Sequence, residues 1–520
     1  MRARCKLVTA LAPFLAAAPA ELEAALRGVL PCLPNAAATT AAAALESVVH
    51  LSRRCASEIA SSQALIEALL DALGRGLADP DAERRAALIS ACGRVVACSE
   101  AHAERFVAPF VSELQRAGAT LHGAADDPGP AHELSRARAA AQLAERLGDA
   151  TAALAPLRPL PKPALVAVLT HLWPAWSAIA PAAVRAGVEA QVLPALCLLA
   201  QEAVRAVRAQ FAPLLPQTAA VLTATFDASP SAPLLELASG LLEAFAGAVS
   251  AEEAAAFGAL LDSLAARTLR ALAAAPLQQP ALLAALLSHA ELHAKLLVPS
   301  LANAACMPGL LGLASSLLGS CREPEPLDAA MSLLGAAAAA ARASSRGSSA
   351  QLGQPGYTVG EAEAAAHRAR LQAALGAAGE AVVRGSVVGL AESLPEPSWP
   401  CIADMIAPML HLEPWARPDG LRVWAHAAIA ALPTTGGAPD ARCREALLAL
   451  LCGFPDPCAA GASYHRLVGQ LGAALADFAR VARRLQPAHT FDLARYDWGA
   501  ALAQPRGVQL GVGPNLDRVL

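Results

Sequence analysis

The sequence predicts an all-α fold, a right-handed α-solenoid of antiparallel helix pairs, on three observations. First, the chain is 55% hydrophobic yet only 4% aromatic, and about a quarter of it is Ala. Ala and Leu have the highest helix propensities, whereas the β-branched and aromatic residues that suit pleated surfaces are scarce. Second, helical runs of about 10 to 20 residues separated by Pro, Gly or Asp fill the chain, with no strand-like alternation of any length. Third, 520 residues exceed the size at which one core keeps growing, so the chain divides into domains or repeats a small unit end to end.

In order along the chain, the first helix pair covers 4–32. Its opening, MRARCKLVTALAPFLAAAPA (Met1–Ala20), imitates a secretory signal, with a basic start, an apolar stretch and an A-P-A cleavage-like end. Pro13 interrupts that stretch, which runs directly into the amphipathic ELEAALRGVL and so also suits the first helix of a repeat. A second pair covers 36–76. The clearest unit is Asp81–Gln115. There Asp79 or Asp81 caps a helix with Leu88, Ala91, Val95 and Val96 on one face, and Ser99 begins a second with Phe106, Val107, Phe110, Val111 and Leu114. Each hairpin has an apolar face too large to leave wet, so it must stack on neighbours. Spacing of roughly 40 residues marks HEAT or armadillo-like repeats. Further pairs fall at 164–204, 208–247, 251–288, 384–411 and 413–452. Leu296–Cys321 is uncharged and long enough to span a bilayer, but Pro299, Asn303, Pro308 and three Gly interrupt it. It reads as two short buried helices, and no transmembrane span is predicted.

The repeats are expected to occupy 1–485, with loops at His122–Pro130 and Ala343–Gly360. Residues 486–520, richer in Pro, Gly and Asp, are expected to form a poorly ordered tail. Small Ala side chains let helix axes approach closely, at the cost of less apolar area per residue, so stability is expected to come from the number of layers.

Charge and chemistry narrow the function. The 40 basic and 44 acidic residues, net −4, are spread along the chain and offer no electrostatic footprint for direct nucleic-acid or membrane binding. The twelve Cys are scattered without a CxxC pair, as in a reduced intracellular protein. No P-loop, dinucleotide fingerprint, nucleophile elbow or HExxH motif occurs, so no catalytic residue and no cofactor is expected and the chain does not read as an enzyme. His289 and His293 (HAELH) have i, i+4 spacing but no third ligand nearby, and read as helix-surface histidines rather than a metal site. Cys452 and Cys458 read as core or loop residues. Ser344, Ser345, Ser348 and Ser349, beside Arg342 and Arg346, read as a solvated loop, with phosphorylation the alternative. Trp173, Trp176, Trp399, Trp415 and Trp424 read as packing anchors. On the helix Val192–Gln210, Arg205 and Arg208 project from neighbouring positions. Two arginines on one face can grip a phosphate or carboxylate of a partner, or else lie solvated over apolar surface.

Five segments then occur in a telling order: AAATTAAAALESVVHLSRRCASE (Ala36–Glu58), ERLGD (Glu145–Asp149), HLWPAWSAI (His171–Ile179), AVRAVRAQFAPLLPQ (Ala203–Gln217), and the helix Tyr464–Arg484 with its Asp477-Phe478-Ala479-Arg480. Each is weak alone, but their collinearity over nearly the whole chain resembles transportin-SR and its sister importins, in the importin-beta (karyopherin) superfamily. The resemblance implies a HEAT-repeat nuclear transport receptor of nucleus and cytoplasm, carrying protein cargo through nuclear pores under Ran GTPase control, with nucleoporins as further partners. It implies that the chain corresponds to the carboxyl-terminal half, whereas the family's main Ran contacts and much of its pore-repeat binding lie in amino-terminal repeats. Transportin-SR proteins bind phosphorylated Arg-Ser domains through an arginine-rich helix. The matching helix here keeps Arg205 and adds Arg208, but has Gln191, Ala195, Leu198 and Gln201 where more arginines would be expected. A different protein cargo is therefore at least as well supported, and a helical-repeat scaffold without transport activity is the alternative.

Overall fold

The computed structural model describes residues 1–35, 38–125, 133–246, 249–273, 276–342, 360–432, 441–455, 464–491 and 495–496. Among these residues every regular element is helical and no strand occurs. The chain divides into two compact units, one comprising Met1–Leu292 and the other beginning at His293.

The first unit runs through α1 (Arg2–Leu15), α2 (Pro19–Val29), α3 (Cys32–Asn35), α4 (Ala38–Arg54), α5 (Ala56–Ser61), α6 (Gln63–Gly76), α7 (Ala82–Val96) and α8 (Ala103–Ala125). It continues with α9 (Glu133–Leu154), α10 (Lys162–Ala186), α11 (Glu189–Val207), α12 (Leu215–Ala228), α13 (Ala232–Phe245) and α14 (Ala251–Leu272); α15 (Pro280–Leu296) contains the boundary between the units, after Leu292. These helices stack as two ladders. In one, α1, α4, α7, α9, α11 and α13 pack each on the next; in the other, α2, α6, α8, α10, α12 and α14 do the same. This is the predicted stack of helix pairs. The predicted grouping skipped α9, which is a full rung: it buries Ala139, Ala140, Leu143, Leu147, Ala150 and Ala153. An inner face built mostly of Ala, with a buried Asp149 among it, blurs the apolar periodicity that a sequence reading relies on.

Local signals set the helix ends. The Asp81 carboxylate accepts the Glu83 and Arg84 N–H groups at 3.0 and 3.1 Å, capping α7 as predicted. Ser250 and Glu253 form a reciprocal capping box at the start of α14. Gly187, at φ 66°, takes the left-handed position that ends α10. Its N–H donates to Val184 C=O while the Val188 N–H donates to Ala183 C=O, a Schellman closure that favours glycine at that φ.

The second unit contains α16 (Val298–Asn303), α17 (Met307–Ser320), α18 (Pro324–Arg342), α19 (Glu361–Val388), α20 (Trp399–Ile406), α21 (Glu413–Ala416), α22 (Leu421–Ala430), α23 (Ala441–Cys452) and α24 (Tyr464–Ala482). Its ladders are α17–α19–α22 and α18–α20–α24. Helices α16 and α17 realise the short pair expected within Leu296–Cys321. Helix α19 begins at Glu361, well before the predicted pair at 384–411, in an Ala-rich stretch that carries little apolar periodicity. Gly379 and Gly385 in its second half permit close packing. A Cβ on Gly385 would lie 2.9 Å from Leu318 Cβ and 3.0 Å from the Ser315 carbonyl oxygen, and one on Gly379 would overlap the Trp424 ring.

Three helical runs, Lys162–Ala186, Glu189–Ala228 and Glu361–Ser393, are long and apolar enough to cross a membrane, and half or slightly more of each apolar window is buried inside the protein. Part of the expected tail is packed: Phe491 and Tyr496 are buried, Phe491 meets Phe478 edge-on at 5.9 Å, and the Tyr496 hydroxyl donates to Asp477. The remainder, 497–520, lies outside the described residues, as do Cys458, the serines at 344–349 and most of the two predicted loops.

Candidate functional site

The predicted partner-gripping residues lie at the end of α11. Its inner face buries Val192, Leu196, Leu199, Ala203 and Val207, which leaves Gln191, Leu198 and Arg205 exposed on the outer side, with Ala195 and Gln201 half-buried. The helix stops at Val207 rather than continuing to Gln210. Arg208 leaves it at φ 51°, ψ −128° and opens a 3-10 turn, Arg208–Leu214, so the two arginines occupy the last turn and its exit rather than one continuous face. Arg205 Nη1 donates to Glu202 Oε1 at 2.6 Å, and Arg158 donates to the other Glu202 oxygen. Burial works to raise the Glu202 carboxyl, but the hydrogen bonds from Arg205 and Arg158 outweigh it and hold the group below the usual carboxylate range. Lys162 Nζ donates to the Ala206 carbonyl, a cation where the helix dipole is negative. Arg205 is thus partly neutralised, and Arg208 is exposed without an ion pair among the described residues. The positions that would complete an arginine cluster are neutral side chains.

Three of the collinear segments build joints between rungs. Glu145, Arg146 and Asp149 of α9 surround Arg85 of α7, whose side chain is 1% exposed. Arg85 Nε donates to both Asp149 oxygens at 3.1 and 3.3 Å, Nη2 donates to Glu145, and Nη1 donates to the Asp79 carbonyl at 2.6 Å. Arg146 adds bonds to Asp149 at 3.0 Å and to the Leu77 carbonyl at 2.8 Å. In α10, Trp173 and Trp176 stack at 4.7 Å. Their indole N–H groups donate to Thr218 Oγ1 and to the Leu196 carbonyl, each at 2.9 Å, tying α10 to α12 and α11. In the second unit, just beyond α24, Arg483 lies 5.0 Å over Trp399 and donates to the carbonyls of Gly389, Leu390 and Leu394, at the π-helical end of α19. Arg480 pairs with Asp477 at 2.8 Å. Trp173, Trp176, Trp399 and Trp415 are buried, as anchors should be, whereas Trp424 is half-buried.

The histidine reading needs correction. His289 and His293 are buried, not on the helix surface. His289 Nδ1 is hydrogen-bonded with Ser239 Oγ at 3.0 Å, and burial lowers its pKa to about 4. His293 Nδ1 is hydrogen-bonded with Ser300 Oγ. No cluster of three metal-ligating side chains occurs among the described residues. Burial pushes the Cys197 thiol up to about 12, far from a reactive thiolate at neutral pH. Open grooves occur among the described residues, one lined by Leu33, Leu45, Arg75, Asp79, Arg84 and Leu88, and another by Gln372, Gly376, Pro414, Asp419 and Trp424.

The chain was compared with known proteins. Importin13 in its cytosolic state is similar in structure over 93% of this chain and 50% of its own, at 16% sequence identity and a TM-score of 0.66. The likeness establishes an importin-type solenoid fold. A second solved structure, in which Kap95p binding induces the switch loops of RanGDP to adopt the GTP-bound conformation, matches 92% of this chain and 50% of its own at 15% identity and a TM-score of 0.36. The chain therefore spans about half the length of the solved structures it matches. No protein-family model and no curated protein matches the sequence.

Proposed function

We propose that the chain is the cargo-binding portion of a nuclear import receptor that carries proteins through the nuclear pore, shuttles between nucleus and cytoplasm, and acts through groove contacts rather than catalysis. The observation that carries this reading is the fold shared with Importin13 over 93% of the chain. The collinear segments support it, because three of them build the joints that hold successive rungs in place. Cargo is a protein, and Ran GTPase and nucleoporins are the further partners. Arg205 and Arg208 are the proposed cargo contacts. Because Glu202 already engages Arg205, they suit a cargo that needs one or two guanidinium contacts rather than a densely phosphorylated Arg-Ser tract.

The alternative reading is a helical-repeat scaffold of the same architecture without transport activity. Affinity purification from nuclear and cytosolic extract, with and without Ran loaded with non-hydrolysable GTP, tests the reading. Release of bound protein on adding Ran supports transport. Bound protein retained, with no Ran on the beads, favours the scaffold or a receptor portion that cannot be switched by itself.

A further inference from the structure

The end of α11 gathers more positive charge than the helix itself carries. Arg158, just after the 3-10 turn that follows α9, donates to Glu202, and Lys162, the first residue of α10, donates to the Ala206 carbonyl. Together with Arg205 and Arg208, four cations stand around one carboxylate, Glu202, whose two oxygens are divided between Arg158 and Arg205. The Glu202 side chain is 17% exposed, whereas Arg158 and Arg205 are 51 and 60% exposed, so the carboxylate lies beneath guanidinium groups that reach water. Arg208 is exposed and has no ion pair among the described residues. Leu198, 46% exposed, stands at i, i+7 with Arg205 and so shares its face of the helix. Helix α11 is an interior rung, packed on α9 and on α13, so this face stays open within the stack.

We propose that this joint binds an acidic polypeptide segment with an apolar side chain among its carboxylates, and that Glu202 is a built-in competitor which the segment displaces from Arg158 and Arg205. The proposal rests on the reading of Arg205 and Arg208 as cargo contacts and supplies the chemistry of that cargo. The class of ligand follows from what the joint already holds: a carboxylate bridges two of its guanidinium groups, and Arg208 offers a third. The end of α11 would repel an anion through the negative pole of the helix dipole, and Lys162 covers that end by its bond to the Ala206 carbonyl. Leu198 supplies the apolar contact beside the charges. A carboxylate from a partner gains hydrogen bonds to Arg158 and Arg205 only by releasing those to Glu202. Glu202 therefore holds the affinity below what the four cations provide, and it disfavours ligands too weakly acidic to replace it.

The test uses the full chain and a fluorescein-labelled peptide of about 12 residues, one Leu flanked by Asp and Glu, read by fluorescence anisotropy. Saturable binding that weakens as salt rises is expected. Glu202→Gln is expected to tighten it about threefold or more, because Gln accepts from one guanidinium but turns its own N–H groups on the other. Glu380→Gln, at an exposed position of α19, makes the same change in net charge and is expected to leave the affinity as it was. Arg208→Glu is expected to weaken binding about tenfold, and Arg158→Gln several-fold. Both arginines are exposed, so these two variants are expected to keep the melting profile of the unaltered chain, and they carry the test should Glu202→Gln fail to fold. The proposal is overturned by absence of saturable binding, by equal binding of a peptide with Asn and Gln in place of the acids, or by affinity that Arg158→Gln and Arg208→Glu leave unchanged. If both arginine variants weaken binding but Glu202→Gln binds no tighter than Glu380→Gln, the competitor role is overturned while the cargo contacts stand. If the acidic peptide does not bind but a peptide with a single phosphoserine does, it is overturned in favour of phosphate recognition. None of these outcomes involves Ran, so the transport reading stands or falls separately, on the release experiment above.

Discussion

Replacing Arg85 with Met tests whether the buried ion cluster braces the α7–α9 rung. Arg85 makes hydrogen bonds to Asp149, Glu145 and the Asp79 carbonyl, with 1% of its side chain exposed against 8% for Asp149 and 42% for Glu145. Removing one member of a buried pair typically costs about 3–5 kcal/mol, because the partner stays charged and desolvated. Two features lower that figure here: Arg146 remains 3.0 Å from Asp149, and Glu145 can turn to water. The expected loss is about 2–4 kcal/mol. The pair Arg85→Met/Asp149→Leu should cost less than the sum of its single changes, since no buried carboxylate is then left facing the vacated site and the half-exposed Glu145 can turn to water. The assay is urea unfolding followed by circular dichroism, with amide hydrogen exchange in α7 and α9 as a local readout, because repeat arrays need not unfold in one step. A buried brace is little screened, so the loss should persist in high salt. An unchanged urea midpoint with unchanged α7 exchange, or a loss that vanishes in salt, would refute the reasoning.

Five other positions give four further tests. Gly385→Val should cost about 1–3 kcal/mol, because the new Cβ meets the Ser315 carbonyl and Leu318 at about van der Waals overlap; a melting temperature equal to that of the unaltered chain would contradict it. Arg483→Leu should cost about 1–3 kcal/mol, because the Leu390 carbonyl loses its side-chain donor while the Gly389 and Leu394 carbonyls keep the Leu394 N–H and the Trp399 indole N–H, and should raise hydrogen exchange at the C-terminal end of α19 first. For His289, a folded pKa of about 4 against an ordinary 6.5 means stability fully present above pH 6.5 and lost as pH falls towards 4, by about 3 kcal/mol in all; His289→Gln should flatten that part of the stability-versus-pH curve measured by urea unfolding. Changing Arg205 and Arg208 to Glu should weaken capture of a phosphorylated Arg-Ser peptide several-fold at low salt, a modest effect because Glu202 already engages Arg205, and unchanged capture removes both residues from any phosphate-gripping role.

What could be read from the sequence was local, and what could not was a matter of pairing. The Asp81 cap, the breaks around Leu296–Cys321 and the anchoring tryptophans each announce themselves within a few residues. Helix α19 did not, because Ala and Gly serve equally on an inner or an outer face and leave no amphipathic signal, and α9 was passed over although Leu143 and Leu147 mark its inner face. The candidate cargo helix was located but misjudged in length, since nothing in AVRAVRAQ marks Val207 as its end and the positive φ of Arg208 is imposed by the turn into α12. The buried polar residues are the instructive case, because helical phase did point to them. Arg85 stands at i, i+3, i+7 with Leu88 and Cys92, and His289 and His293 continue the line of Leu282 and Leu286, so both lie on core faces. A charged or titratable residue on such a line has two physical outcomes: it bends the helix phase so as to reach water, or it finds a partner that permits burial. For Arg85 the partners, Glu145 and Asp149, are about sixty residues away and become neighbours only because α7 and α9 are successive rungs of one ladder. Phase therefore nominates the buried residue, and the order of stacking supplies the group that makes its burial tolerable.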